Sequence, residues 1–177
     1  MKHRQKTTKT KAATAKVLTL PDLYDMYDEC NFRFFGGTLP CPQLDFMHKK
    51  DPVGSFTCDY YNDVILSACI MISDRYKYTD AQLRTLMTHE MIHYFLYYNN
   101  VNPTWSHGKE FRTIAKYMNV VYGLNIDKYT DTSNMEMIQK ESFFSRLFSK
   151  RKAWCCNHQV MTEWHTQRIN KLIINYY

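Results

Sequence analysis

The stretch LMTHEMIHYFLYY, from Leu86 to Tyr98, constrains the fold more than any other part of the chain. It is among the most apolar segments, yet it carries His89, Glu90 and His93. Polar groups taken into a core need partners, because an unpaired buried group loses its hydration without compensation. On an α-helix, residues four apart sit on the same face, about 6 Å apart along the axis. His89 and His93 therefore converge on one point. Either both are core residues satisfied by backbone hydrogen bonds, or the fold brings something to meet them there.

The flanking residues place this stretch on a helix. Thr79 and Gln82 have capping-box spacing, which predicts a helix from Asp80 to about Tyr98. Asn99, Asn100, Asn102 and Pro103 then break it. A further helix is predicted from near Ser106, with Phe111, Ile114 and Met118 on one face and Gly123 as its C-terminal cap. Upstream, Pro21 and Asp22 suit a helix start, Leu23, Met26, Cys30 and Phe34 recur at helical spacing, and Gly36-Gly37 ends the run. Between these helices lie QLDFMH (Gln43 to His48), GSFTCDYY (Gly54 to Tyr61) and VILSACIMIS (Val64 to Ser73). All three are rich in β-branched and aromatic residues, and Asn62-Asp63 reads as a tight turn. The expectation is an α+β domain with helices packed on a small antiparallel sheet.

Charge is unevenly spread over the 177 residues. Lys2, Arg4, Lys6, Lys9, Lys11 and Lys16 account for the whole formal net charge of +6, and the rest of the chain balances 17 basic against 17 acidic residues. Residues 1–16 are thus predicted to be a disordered basic tail, solvated or in contact with nucleic acid. A domain over residues 17–129 and an extension over 130–177 complete the expected organisation. In the extension, ESFFSRLFSKRK sets Phe143, Phe144, Leu147 and Phe148 against Arg146, Lys150, Arg151 and Lys152. Such a pattern suits a core-packing helix, and also an anionic surface. No stretch approaches the roughly 18 apolar residues of a membrane span, so no membrane partner is expected. Six cysteines without a dense framework, and no apolar signal sequence, point to reduced thiols in the cytoplasm.

His89, Glu90 and His93 form an H-E-x-x-H pattern. Two neutral imidazoles one turn apart can each place a nitrogen about 2.0–2.1 Å from one Zn²⁺, while the carboxylate serves as general base toward a water. A catalytic zinc takes three protein ligands and keeps a fourth position open. The extension with Gly at 96 and His at 99 is absent, since the chain has Leu96 and Asn99 there. The remaining candidates are His107 and Glu110 in WSHGKEF. His107 is favoured, because it opens the second helix after a loop that lets the chain double back, and Gly108 permits close backbone approach. Glu110 then belongs to the helix surface or supports a ligand.

FFGGTLP (Phe34 to Pro40), MTHEMIHYFL (Met87 to Leu96) and SHGKEF (Ser106 to Phe111), in this order, resemble the SprT-like zinc metalloprotease family, which includes the eukaryotic Spartan protease. The resemblance spans roughly residues 20 to 125. It implies a zincin-like α+β metalloprotease domain with one Zn²⁺ held by His89, His93 and His107, and Glu90 as catalytic base. It also implies a protein or peptide substrate, with DNA-associated or DNA-crosslinked proteins as the class. Many members end in a zinc ribbon, which WCCNHQVMTEWHTQRIN (Trp154 to Asn170) matches only faintly. Cys155 and Cys156 are adjacent, which suits a tetrahedral site poorly, so a second metal on Cys155, Cys156, His158 or His165 is disfavoured. The basic tail and Arg146 to Lys152 are the candidate DNA contacts. Two rivals stand beside this reading: a non-catalytic DNA-binding module with a closed structural zinc site, and a zinc hydrolase acting on a non-peptide bond. Because imidazoles must be neutral to hold zinc, affinity is expected to fall below about pH 6.5.

Overall fold

The computed structural model describes residues 14–62, 64–101 and 105–138. All of these lie in the first of two units, Met1–Gln139 and Lys140–Tyr177. Residues 1–13 of the expected basic tail, the Glu141 to Lys152 segment and Cys155, Cys156, His158 and His165 lie outside the described residues.

Six elements follow one another: α1 (Leu20–Phe35), β1 (Gln43–Met47), β2 (Gly54–Tyr61), β3 (Val64–Ser73), α2 (Asp80–Tyr98) and α3 (Lys109–Tyr122). Helix α1 begins one residue before Pro21, because Thr19 is the cap. Its backbone N–H donates to the Asp22 carboxylate at 2.7 Å, closing a capping box. Gly36 ends the helix in the left-handed conformation, φ 65°, where a side chain would clash. The chain then folds back against its own helix. Asn31 Nδ2 donates to the Leu39 carbonyl at 2.8 Å, and the Tyr27 hydroxyl donates to the Pro40 carbonyl at 2.7 Å. These bonds fix the path of GGTLP into β1.

The three strands form one sheet in the order β1-β3-β2. Strand β2 runs antiparallel to β3, as expected of a hairpin, but β1 pairs with β3 in parallel over Gln43–Met47. The sheet is therefore mixed, not antiparallel. The reason lies in β3, whose apolar run fully buries Ile70 and Ile72. Such a strand belongs in the centre, hydrogen-bonded on both sides, and it inserts between β1 and β2.

Helix α2 runs through the middle of the unit, buried on nearly all sides from Leu83 to Leu96. Its capping box is the one read from the sequence, with Gln82 N–H donating to Thr79 Oγ1 at 3.2 Å. An ion pair between Arg84 and Glu29, at 3.1 Å, joins α2 to α1. Helix α3 is amphipathic and buries Phe111, Ala115 and Met118. It starts at Lys109, not Ser106, because Trp105 to Gly108 form a turn in which the Gly108 N–H donates to the Trp105 carbonyl at 2.9 Å. Beyond α3 the backbone returns to the first half of the chain. Met135 is buried in the core and Ile138 N–H donates to the Arg75 carbonyl at 2.8 Å. Among the described residues no helix is long and apolar enough to cross a membrane, and Cys30, Cys41, Cys58 and Cys69 are free thiols.

Candidate metal centre

Helix α2 supplies His89 and His93 from one face, and the turn before α3 supplies His107. The His107 Nε2 atom lies 3.0 Å from His89 Nε2 and 3.3 Å from His93 Nε2. All three ligand atoms fall within 4.8 Å of one another. Two nitrogens that share one zinc-sized ion at about 2.0–2.1 Å in a tetrahedral arrangement sit about 3.3 Å apart. The two distances to His107 match that spacing, and the group could hold a single ion. The Phe111 ring forms a common floor, with centroids 4.8, 4.7 and 4.7 Å from those of His89, His93 and His107.

Each ligand atom is aimed by what the rest of the ring touches. His89 donates to the backbone carbonyl of Asp127. With Nε2 turned toward His107, the donor is Nδ1, which fixes the tautomer that leaves Nε2 with a free lone pair. His107 Nδ1 is 3.3 Å from the Ser106 hydroxyl. The Asp127 carbonyl is itself held, because Asn119 on α3 grips the neighbouring Ile126 twice. Asn119 Nδ2 donates to the Ile126 carbonyl and Ile126 N–H donates to Asn119 Oδ1, both at 2.8 Å.

Burial sets the charge states. It lowers the pKa of His89 to about 4, helped by the charge of His107, and that of His93 to about 3, helped by both other imidazoles. His107 is lowered by burial and by Lys128. Three neutral imidazoles are the form in which histidine binds a metal. Glu90 is shifted the other way, to about 8, because burial outweighs the hydrogen bond it accepts from the Phe56 N–H. Its side chain lies between α2 and β2, only 5 % exposed. Its carboxylate is not a member of the imidazole cluster.

The structure brings His89, His93 and His107 together and leaves Glu110 outside the cluster, exposed on the first turn of α3. Gly108 does sit in a tight place, since a Cβ there would stand 3.1 Å from the Trp105 carbonyl oxygen. Tyr94, one residue beyond His93, is buried and stacks on Phe56, whereas Tyr117 and Tyr129 are exposed. Sequence reasoning missed Asp127, Asn119 and Gly54. Asp127 acts through its backbone carbonyl, which no residue type announces. Asn119 and Gly54 matter only through neighbours distant in sequence.

Three imidazoles converge in an α+β unit, two from a central helix and one from a following turn, as a cluster that could hold a metal ion. The family model for the SprT-like family matches residues 23–130, more than half of the 177-residue chain. The chain belongs to the SprT-like family. No curated protein matches it in a sequence comparison.

Proposed function

We propose that this protein is a zinc-dependent metallopeptidase of zincin-like fold, with His89, His93 and His107 as ligands and Glu90 as general base. The observation that carries the reading is the convergence of three Nε2 atoms, with His107 3.0 Å from His89 and 3.3 Å from His93, at the helix that also carries Glu90. The donor set is all nitrogen, neutral and three in number, which matches a catalytic zinc site that leaves one position open. When bound, Zn²⁺ supplies a Lewis acid for the scissile carbonyl and lowers the pKa of a coordinated water to about 7.

The chain's own residues do the rest. Glu90 takes a proton from the attacking water and returns it to the leaving amine. Its raised pKa brings a carboxylate close to the operating pH, where a base can both accept and release a proton. The Asp127 carbonyl and the Ser106 hydroxyl hold two imidazoles in register, and the Phe111 ring shuts water from the side facing α3.

The SprT-like resemblance favours proteins bound or crosslinked to DNA as the substrate class, and the basic charge of the tail and of Arg146 to Lys152 suits DNA contact; cysteine usage without a dense framework favours the cytoplasm. The test is elemental analysis of the purified full-length chain, paired with a protease assay that chelator abolishes and zinc restores, with and without single-stranded DNA. One zinc per chain and chelator-reversible cleavage are expected. Salt-sensitive DNA binding without cleavage of any protein would instead make the chain a binding module with a structural metal, and cleavage of other bonds alone would make it a different hydrolase.

A further inference from the structure

We infer that Gly54 is a positioning residue for Glu90, because the space left by its missing side chain is where the carboxylate seats against strand β2. The inference rests on the reading of Glu90 as the base. A Cβ built on Gly54 would stand 2.4 Å from Glu90 Oε1 and 3.0 Å from Glu90 Cδ, well inside van der Waals contact. It would also come 2.8 Å from Leu86 Cδ1. The backbone at Gly54 is not in the left-handed region, so space alone demands glycine.

The contact is part of a register between strand and helix. Leu86, Glu90, Tyr94 and Tyr97 recur along one side of α2, and β2 faces them with Gly54 and Phe56. The Phe56 ring lies 5.5 Å from that of Tyr94 and 5.9 Å from that of Tyr97. Two residues back, where an aromatic ring would collide with the helix, Gly54 leaves room for the carboxylate, which accepts the Phe56 N–H. The edge strand therefore both makes the slot and supplies the donor that orients the base.

All three atoms that a methyl group would meet belong to the outer parts of two side chains, Glu90 and Leu86, and none to the backbone, so Gly54→Ala moves Glu90 instead of breaking the fold. A shift of about 1 Å in a reacting group costs on the order of 100-fold in rate. The expected result for full-length G54A is a kcat lowered about 100-fold, with KM within about twofold of wild type and one zinc still bound. Glu90→Asp shortens the carboxylate and vacates the slot, so the G54A/E90D double variant should be no slower than E90D alone. Losses that multiply, or a wild-type kcat in G54A, would overturn the assignment. Should G54A fail to fold, recovery of folding in G54A/E90D supports the contact and failure of both overturns it. A readout independent of turnover is amide hydrogen exchange at Phe56 in metal-free protein, expected to be at least about tenfold faster in G54A. If wild type cleaves no protein, the peptidase reading fails, and exchange at Phe56 still decides the contact, unchanged exchange rejecting it.

Discussion

The Nε2 atoms of His89 and His107 lie 3.0 Å apart although 18 residues separate them in the chain. In a metal-free site one imidazole can hydrogen-bond the other, and in a loaded site both nitrogens can face one ion. The pair is the tertiary link that converts a helical motif into a three-donor site, and the expected outcomes below turn on it.

Glu90→Gln should keep stoichiometric zinc and lose at least about 100-fold in kcat, the usual range for removing a general base. His93→Ala should lose the metal itself. Metal content by elemental analysis, read beside kcat, separates the two. Wild-type turnover in the Glu90→Gln protein would show that the base lies elsewhere.

His107→Ala should weaken zinc binding by more than the roughly 10–100-fold typical of groups that only orient a ligand. Ser106→Ala should fall within or below that range, since it removes only the 3.3 Å contact to His107 Nδ1. Competition titrations against a chromogenic chelator give both affinities. Equal losses in the two variants would place His107 outside the ligand set.

Asn119→Ala leaves the Ile126 N–H and carbonyl without their 2.8 Å partners. The expected loss is about 1–3 kcal/mol of stability, measured by denaturant unfolding. Because Asp127 adjoins Ile126 and holds His89, zinc affinity should fall as well, by roughly tenfold. Lost stability at unchanged zinc affinity would mean that the Asp127 carbonyl does not aim His89.

Stability of the metal-free protein should peak in mildly acidic solution. The folded pKa values of His89 and His93, about 4 and about 3, lie below the ordinary histidine value of 6.5. The unfolded chain therefore binds more protons between those limits, and the contribution of the neutral imidazoles, complete above 6.5, is lost as pH falls. Glu90 has the opposite sign. Its folded value of about 8 lies above 4.5, so its contribution is complete below 4.5 and lost as pH rises through 8. Thermal melts across pH should give a maximum near about pH 6.5, where the protons bound by the two unfolded imidazoles balance the one held by folded Glu90. Burial also delays proton competition for the ligands, so zinc release on acidification should come below the pH 6.5 that unperturbed histidines imply. A melting temperature rising steadily from pH 6 to 9 would contradict the Glu90 shift.

Much of this was legible in the chain. The capping box at Thr79 and Gln82 marks the start of α2, and GSFTCDYY and VILSACIMIS match β2 and β3 residue for residue. These signals are local: a cap, an alternation and a helical period each involve residues a few positions apart. The motif spacing likewise set His89 and His93 on one face. The parallel pairing of β1 was not legible, because strand order depends on which strand best tolerates burial on both sides, and that emerges only when three strands compete for the centre.

The sequence by itself set two of the three imidazoles on one face, since a helix places residues four apart there whatever surrounds it, and favoured His107 over Glu110 as the third. Only the tertiary structure decided that His107 completes the set, that the carbonyl of Asp127 aims His89, and that Gly54 makes room for Glu90. Each joins residues from different elements, and their distance is set by how helices and strands pack, a property of the assembled core that no local pattern encodes.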